Sequence, residues 1–431
     1  MIYIVSMLWS DNMNLFEELK WRGMLKDISN EEEAKRMINE EKVVFYCGFD
    51  PSADSLTIGH AVQIIRSKLL QNYGHKPIIL VGGATGLIGD PRETEERKLL
   101  TLEKSLENAK KVEVQLKKYM SFEGDNKAIV VNNYDWISKI NMIEFLRDYG
   151  KYFNINYMLD KETISKRLNT GISYTEFSYM ILQSIDWLHL YKKYNCTVQF
   201  GGSDQWGNIT AGLELIRKKE EAAKVVALSS PLLLKSDGTK FGKSESGALW
   251  LDETKTSPYE MYQYFINTSD KDVITYLKLL TLLSKEEIED LESKLKEKPE
   301  ERIAQKVLSK EILIFLYGRE AYEGALKISE ALFNGDIKEL TEKQIEEGFK
   351  DVPSLEINKE KNIIDLLVEV GTASSKREAR EFISNGAITI NGDKVIDLEY
   401  IINKSRLVND KYIIIRRGKK NYYLIKYKGD K

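Results

Sequence analysis

Residues 43–60 read V-V-F-Y-C-G-F-D-P-S-A-D-S-L-T-I-G-H. An apolar run at 43–49 gives way to a polar turn at Asp50, and a helical pattern starts near Gly59. That order is a strand–turn–helix entry. The first N–H groups of a helix have no intrahelical partner, so such an entry attracts phosphate. Gly48 lets a ligand approach the backbone closely. No G-x-G-x-x-G follows the strand, which argues against a dinucleotide-binding oxidoreductase.

Working outward, 77–82, 128–132 and 197–200 read as further buried strands, with helices over 59–73 and 95–120 between them. Residues 14–40 read as two helices, the second opened by Ser29 and Asn30 with Glu32 and Glu33 as capping partners. The alternation predicts an α/β fold, a Rossmann-like doubly wound parallel sheet with ligands at the carboxyl ends of its strands. After Pro258 the pattern turns helical, over 259–265, 271–280, 285–296, 301–317 and 320–333. The expected domains are an extension at 1–12, a catalytic domain at 13–250 and an α-helical domain at 251–340. A polar linker at 341–360 and a small α+β domain at 361–431 complete the chain.

The chain has 431 residues, 42% hydrophobic and 30% charged, the composition of a soluble globular protein of two or three domains. Two cysteines, Cys47 and Cys196, and three histidines share no ligand spacing. A disulfide framework and a protein-bound metal are therefore not expected, and a reducing cytoplasm is. The longest apolar stretch, 78–89, is broken by glycine and too short to span a membrane. Net charge is −3, unevenly placed. Residues 361–431 carry fifteen Lys and Arg against nine Asp and Glu, a net of +6, which leaves −9 for the rest. A basic tail on an acidic body suggests a polyanionic partner.

Three further segments carry chemistry. K-F-G-K-S at 240–244 sets Lys240 and Lys243 around a glycine, where both can face one pyrophosphate. G-G-S-D-Q-W-G-N occupies 201–208. The apolar helix T-E-F-S-Y-M-I-L-Q-S-I-D-W, 175–187, carries Tyr179, Gln183 and Asp186 at helical spacing on one face. A polar stripe on a buried helix is either paired within the core or lines a cavity.

In this order, D-S-L-T-I-G-H and K-F-G-K-S resemble the two signatures of class I aminoacyl-tRNA synthetases. The residues between them resemble the bacterial-type tyrosine branch, and the resemblance runs over 13–431. It implies an ATP-dependent enzyme that joins L-tyrosine to tRNA(Tyr), with Mg2+ accompanying ATP and no prosthetic group. Gly59 and His60 match the last two residues of the H-I-G-H signature, and Thr57 replaces its first His. Thr57 and Ser52 would donate to the γ-phosphate, and Lys240, Lys243 and Ser244 would hold the pyrophosphate. Arg92, Arg97 and Lys235 are further candidate cations. Gly48, Asp50, Gly202 and Asp204 would line the ATP site, Asp50 also serving for the ammonium. Tyr46 and Asp186 would pair the phenol hydroxyl. Tyr179 and Gln183, aided by Asp90, would bind the α-ammonium, with Gln199 and Gln205 contacting the rest of the amino acid.

Residues 362–395 resemble the small RNA-binding domain first known from a ribosomal small-subunit protein. The resemblance implies an RNA site at Ser375, Lys376, Arg377 and Arg380, on a helix start suited to phosphate. Asn385-Gly386 and Asn391-Gly392 supply turns. The family implies a homodimer, with 133–156 (Trp136, Ile137, Phe145, Phe153) as the expected interface. Two rivals stand beside this reading. One is a tryptophan-type synthetase, opposed by Tyr46 and Asp186. The other is an RNA-binding factor with a degenerate synthetase core, which only Thr57 favours.

Overall fold

The computed structural model describes residues 13–91, 99–169, 171–239, 241–244, 247–418 and 421–428. The expected extension at 1–12 and the candidate cations Arg92, Arg97 and Lys240 lie outside them. The chain divides into two compact units, one of residues up to Lys255 with Thr268–Leu308, the other of Thr256–Asn267 with Ser309–Lys431.

The first unit is built on five parallel strands, β1 (Val44–Phe49), β2 (Lys76–Val81), β3 (Ile129–Asn132), β4 (Cys196–Gly202) and β5 (Val226–Ser230). Their order in the sheet is β3-β2-β1-β4-β5. The order reverses between β1 and β4, which opens a crevice at their carboxyl ends. Aromatic and β-branched residues suit β1, where Phe45 and Tyr46 are fully covered. Burying a side chain such as Phe45 contributes about 1.5–3 kcal/mol. β5 went unread in the sequence, although all five of its residues are buried. A short apolar run without alternation is hard to tell from part of a helix.

Helix boundaries follow their caps. Asn30 accepts from the Glu33 N–H to open Glu31–Glu40, as expected. Ile58–His60 forms a 3-10 turn that leads into the Ala61–Asn72 helix. The expected helix over 95–120 is shorter in the described residues, Leu102–Lys117, with Thr101 as its cap.

The domain expectations need two corrections. Helices Asp270–Leu280 and Lys285–Glu297 belong to the first unit rather than to one helical domain at 251–340. Buried Arg22 ties them there, donating to the carbonyls of Lys278 and Thr281 at 3.0 Å and of Leu283 at 2.5 Å. The 341–360 stretch is not a linker. It forms the Glu342–Gly348 helix and the Ser354–Ile357 strand, which pairs in parallel with 424–427. Its buried Ile345 and Phe349 span a single helical repeat and Ile357 lies on a strand, too short a run to show a period.

In the second unit, Tyr412–Arg417 sits at the centre of a five-stranded sheet. Ile413 and Ile415 pack on one face with the Ile363–Glu369 and Lys376–Ser384 helices. Tyr412 and Ile414 pack on the other with Ile328, Ile345 and Phe349. Two helical layers thus explain why the strand is apolar without alternation. Asn391-Gly392, both at positive φ, makes the hairpin between Ile388–Ile390 and Asp393–Val395. Asn385-Gly386 instead ends the Lys376–Ser384 helix, with Gly386 at φ +64°.

Candidate active site

A cavity of about 400 Å3 opens at the β1–β4 crevice. Of the expected site residues, Tyr46, Gly48, Asp50, Ser52, Thr57, Gly59, His60, Asp90, Tyr179, Gln183, Asp186, Gln199, Gly202, Asp204 and Gln205 all line it. The register explains part of the convergence. Tyr46 on β1 stands directly beside Gln199 on β4, so both side chains leave the same face of the sheet. The Tyr174–Tyr194 helix brings Tyr179, Gln183 and Asp186 to the same cavity. Ser173 caps that helix by accepting from the Glu176 N–H, and a buried ion pair of Glu176 with Arg167, 3.0 Å apart, fixes its start.

Asp186 is 1% exposed. Its two oxygens accept from Asn133 Nδ2 at 2.9 Å and Trp136 Nε1 at 2.8 Å. Burial pushes its carboxyl up to about 8, opposed by these two hydrogen bonds and assisted by the charge of Asp50. Asp50 accepts from Tyr179 Oη and from Thr85 Oγ1, each at 2.7 Å. Any side chain at Gly82 would collide with that Asp50 carboxylate and with Thr85 Oγ1. Asp90 accepts from Gln205 at 2.6 Å and Asn208 at 2.9 Å, and burial pushes it up to about 6. Among the described residues, three buried polar atoms around the cavity have no partner: the Tyr46 hydroxyl, Gln183 Oε1 and Gln199 Oε1.

At the helix entry, His60 Nδ1 accepts from the Thr57 N–H at 3.1 Å, which leaves its ring proton on Nε2. The Thr57 hydroxyl also lies 3.1 Å from Nδ1. Burial holds His60 below the usual histidine range. The second motif packs on this turn. Thr57 bridges to Trp250, Ile58 N–H donates to Leu249 O, and Leu249 N–H donates to Gly242 O. Gly242 has φ +78°, and a Cβ there would stand 2.5 Å from Ile58 Cγ2. Two motifs more than 180 residues apart in sequence thus meet through backbone contacts. Lys243 and Ser244 pair in backbone register with Gly247 and Ala248.

Sequence reasoning missed Asn133, Thr85, Asn208, Cys47 and Gln63 as site residues. Small polar residues at strand ends carry no spacing signal, although Asn208 lay inside a quoted motif. Trp136, expected at an interface, donates to Asp186 and stacks on His189 with ring centroids 4.3 Å apart. The expected RNA residues lie in the second unit. Ser375 caps the Lys376–Ser384 helix, Arg377 and Arg380 are exposed, and Lys376 pairs with Asp365 at 2.6 Å.

The family described as tRNA synthetases class I (W and Y) matches residues 38–334. The tyrosine--tRNA ligase SYY-like C-terminal domain matches residues 344–425. The tyrosine--tRNA ligase of Bacillus velezensis is 54% identical over 419 residues, covering 96% of this chain and all of that protein. The chain belongs to the class I tyrosine–tRNA ligase family. Tyrosine--tRNA ligase 1 of Bacillus subtilis is 53% identical with the same coverage. Among solved structures, a C-terminally truncated mitochondrial tyrosyl-tRNA synthetase of Aspergillus nidulans aligns with a TM-score of 0.66 and 28% identity. That alignment covers 75% of this chain and 95% of the other. Membership in this family favours the tyrosine reading over both rivals, and the sheet order and cavity position agree with its fold.

Proposed function

We propose that the cavity seats L-tyrosine and ATP side by side, the phenol against Tyr46 and Asp186 and the nucleotide over the β1–β4 crevice. One observation carries the reading. The unpartnered Tyr46 hydroxyl, Gln183 Oε1 and Gln199 Oε1 are buried around one cavity, and leaving such atoms unsatisfied costs about 1–3 kcal/mol each. A ligand with a phenol and an ammonium group repairs that deficit. Tyr179, Gln183 and Asp90 bind the ammonium, Gln199 contacts the amino acid and Gln205 its carboxylate. A carboxylate oxygen of tyrosine bonds to the α-phosphorus as the α–β anhydride breaks, giving tyrosyl-adenylate and pyrophosphate. No protein nucleophile is needed; positioning and charge stabilisation suffice. His60 Nε2–H, Thr57 and Ser52 face the phosphates, and Lys240, Lys243 and Ser244 hold the pyrophosphate. The terminal ribose hydroxyl of tRNA(Tyr) then takes the tyrosyl group and releases AMP.

Among the described residues, no group of three or more His, Cys, Asp or Glu stands ready to hold a metal. Mg2+ would therefore enter on the phosphates of ATP, where it neutralises charge. Cys47 and Cys196 are buried free thiols, in keeping with a reducing cytoplasm. Among the described residues no helix is long and apolar enough to cross a membrane. Arg377 and Arg380, at the start of the Lys376–Ser384 helix, contact tRNA phosphates. A homodimer forms through 133–156, where Met142 and Ile143 are 76% and 68% exposed beside a groove lined by Leu87, Ile137, Phe145 and Leu182.

Pyrophosphate exchange tests the reading. Exchange should require L-tyrosine and proceed with no other common amino acid. A folded sample that exchanges with tryptophan alone, or with neither, overturns it. Sedimentation tests the dimer, which a monomer at every concentration would refute.

A further inference from the structure

Arg66, on the Ala61–Asn72 helix, has no exposed surface at all. A guanidinium is one of the costliest groups to bury, and among the described residues no carboxylate pairs with it. Its Nη2 donates to Gln63 Oε1, while Nε and Nη1 have no partner among the described residues. It lies over the Phe200 ring, 4.3 Å from the centroid, and beside Cys47. Burial holds its pKa down at about 10. Gln63, Phe200 and Cys47 all line the cavity that Arg66 itself does not. A guanidinium has donors only, so the amide atom facing it must be the oxygen. The Cys47 thiol meets the same oxygen at 3.7 Å. The Gln63 nitrogen is thereby turned away, donating to Ser230 Oγ at 3.2 Å with its second N–H left over.

We propose that Arg66 is a positioning residue for ATP: it locks the Gln63 amide with its nitrogen toward the nucleotide and holds a positive charge behind the cavity wall formed by Cys47 and Phe200. The proposal rests on the reading of this cavity as the ATP site. Both effects favour an anionic ligand, and neither involves Tyr46 or Asp186, which lie toward the other end. The cost of a buried, under-paired cation is then offset when the nucleotide binds.

The test is pyrophosphate exchange with ATP and tyrosine varied separately, together with equilibrium binding of a non-hydrolysable ATP analogue. Arg66→Met should raise the KM for ATP by about tenfold or more, the scale of one charge-assisted hydrogen bond, and leave the KM for tyrosine within about twofold. Arg66→Lys should recover part of the loss. Gln63→Glu keeps an oxygen against Arg66, so it should fold, yet it removes the amide donor and should weaken ATP in the same way. An equal loss on both substrates, or an unmoved KM for ATP in Gln63→Glu, would overturn the proposal and leave Arg66 a packing residue. The underlying reading fails separately. Without tyrosine-dependent exchange in the parent protein, analogue binding that still weakens in both variants upholds Arg66 and removes only the amino-acid assignment.

Discussion

The two ends of the cavity are built by different means. At the end proposed for tyrosine, side chains make the site. Tyr46 and Asp186 are 1% exposed and Gln199 2%, and each is set by a strand register or a helix face. At the end proposed for the triphosphate, Gly48, Ser52 and Gly59 are exposed, and backbone contacts join two distant segments through Gly242. On the proposed reading, the first end discriminates by the cost of buried polar groups left unpaired. The second holds charge that water can already reach. Substitutions at the first end should therefore separate tyrosine from other amino acids, and those at the second should act on ATP and on rate.

Asp186→Asn is the largest test of that contrast. It should lower kcat/KM for tyrosine by about tenfold or more, from the loss of the carboxyl that meets the phenol hydroxyl, with the KM for ATP almost unchanged. The same variant should alter the pH dependence of stability. With its carboxyl pushed up to about 8, folded Asp186 keeps a proton that the unfolded chain loses near pH 4. Its contribution is thus fully present at low pH and is lost as pH rises through 8. Thermal melts between pH 5 and 8.5 should slope less steeply for Asp186→Asn than for the parent. Parallel slopes would mean that Asp186 is ionised throughout.

The same contrast governs what the sequence could reveal. The strand–turn–helix entry and the Tyr179, Gln183 and Asp186 stripe were legible because periodicity encodes a face, and most helix ends after Pro258 lie within two residues of their expected positions. Asn133, Thr85 and Trp136 were not legible as site residues. They reach Asp186 and Asp50 only because β3, β2 and β1 end side by side in that order, and no local pattern encodes that adjacency. Arg66 sits in a helix buried on nearly every side, and a basic residue within it reads by itself as surface. The 341–360 stretch was misread because its few apolar residues complete a core formed mainly by distant strands.

Charge removal in the second unit should touch neither end of the cavity. Arg377→Ala with Arg380→Ala should flatten the salt dependence of tRNA binding by about 2 units of log–log slope if each contacts one phosphate, with pyrophosphate exchange unaltered. Adding Lys376→Ala should contribute less, because Asp365 already neutralises that cation. Truncation near residue 340 is a poorer experiment. It would strip Tyr412, Ile414 and Leu424 from Ile328, Ile337 and Leu340 and expose their shared core. An unchanged slope in the substituted protein would move the RNA contact elsewhere.

At the exposed end, Thr57→His should change the single-turnover rate of activation by up to about tenfold and leave tyrosine binding as it was. A contact that forms with the phosphates in the transition state moves rate rather than ground-state affinity. Thr57 already spends its N–H, and points its hydroxyl, on His60 Nδ1, so its reach toward a phosphate is short. A large loss of tyrosine affinity with an unchanged rate would show that residue 57 does not face the triphosphate.

Tyr46→Phe is the smallest test and the most specific. The Tyr46 hydroxyl is buried with no partner, so deleting it removes an unsatisfied group from the ligand-free protein. Thermal stability without ligand should stay level or rise. Tyrosine binding should weaken by only about 0.5–1.5 kcal/mol, the net value of one neutral hydrogen bond, and phenylalanine binding should hardly move. The ratio of tyrosine to phenylalanine in exchange assays should therefore fall by the same few-fold factor as tyrosine affinity. Asp186 should retain most of the preference, because its carboxyl still faces the phenol. A stability loss without a change in that ratio would mean that the hydroxyl serves the core rather than the substrate, and the contrast between the two ends would fail at its most buried residue.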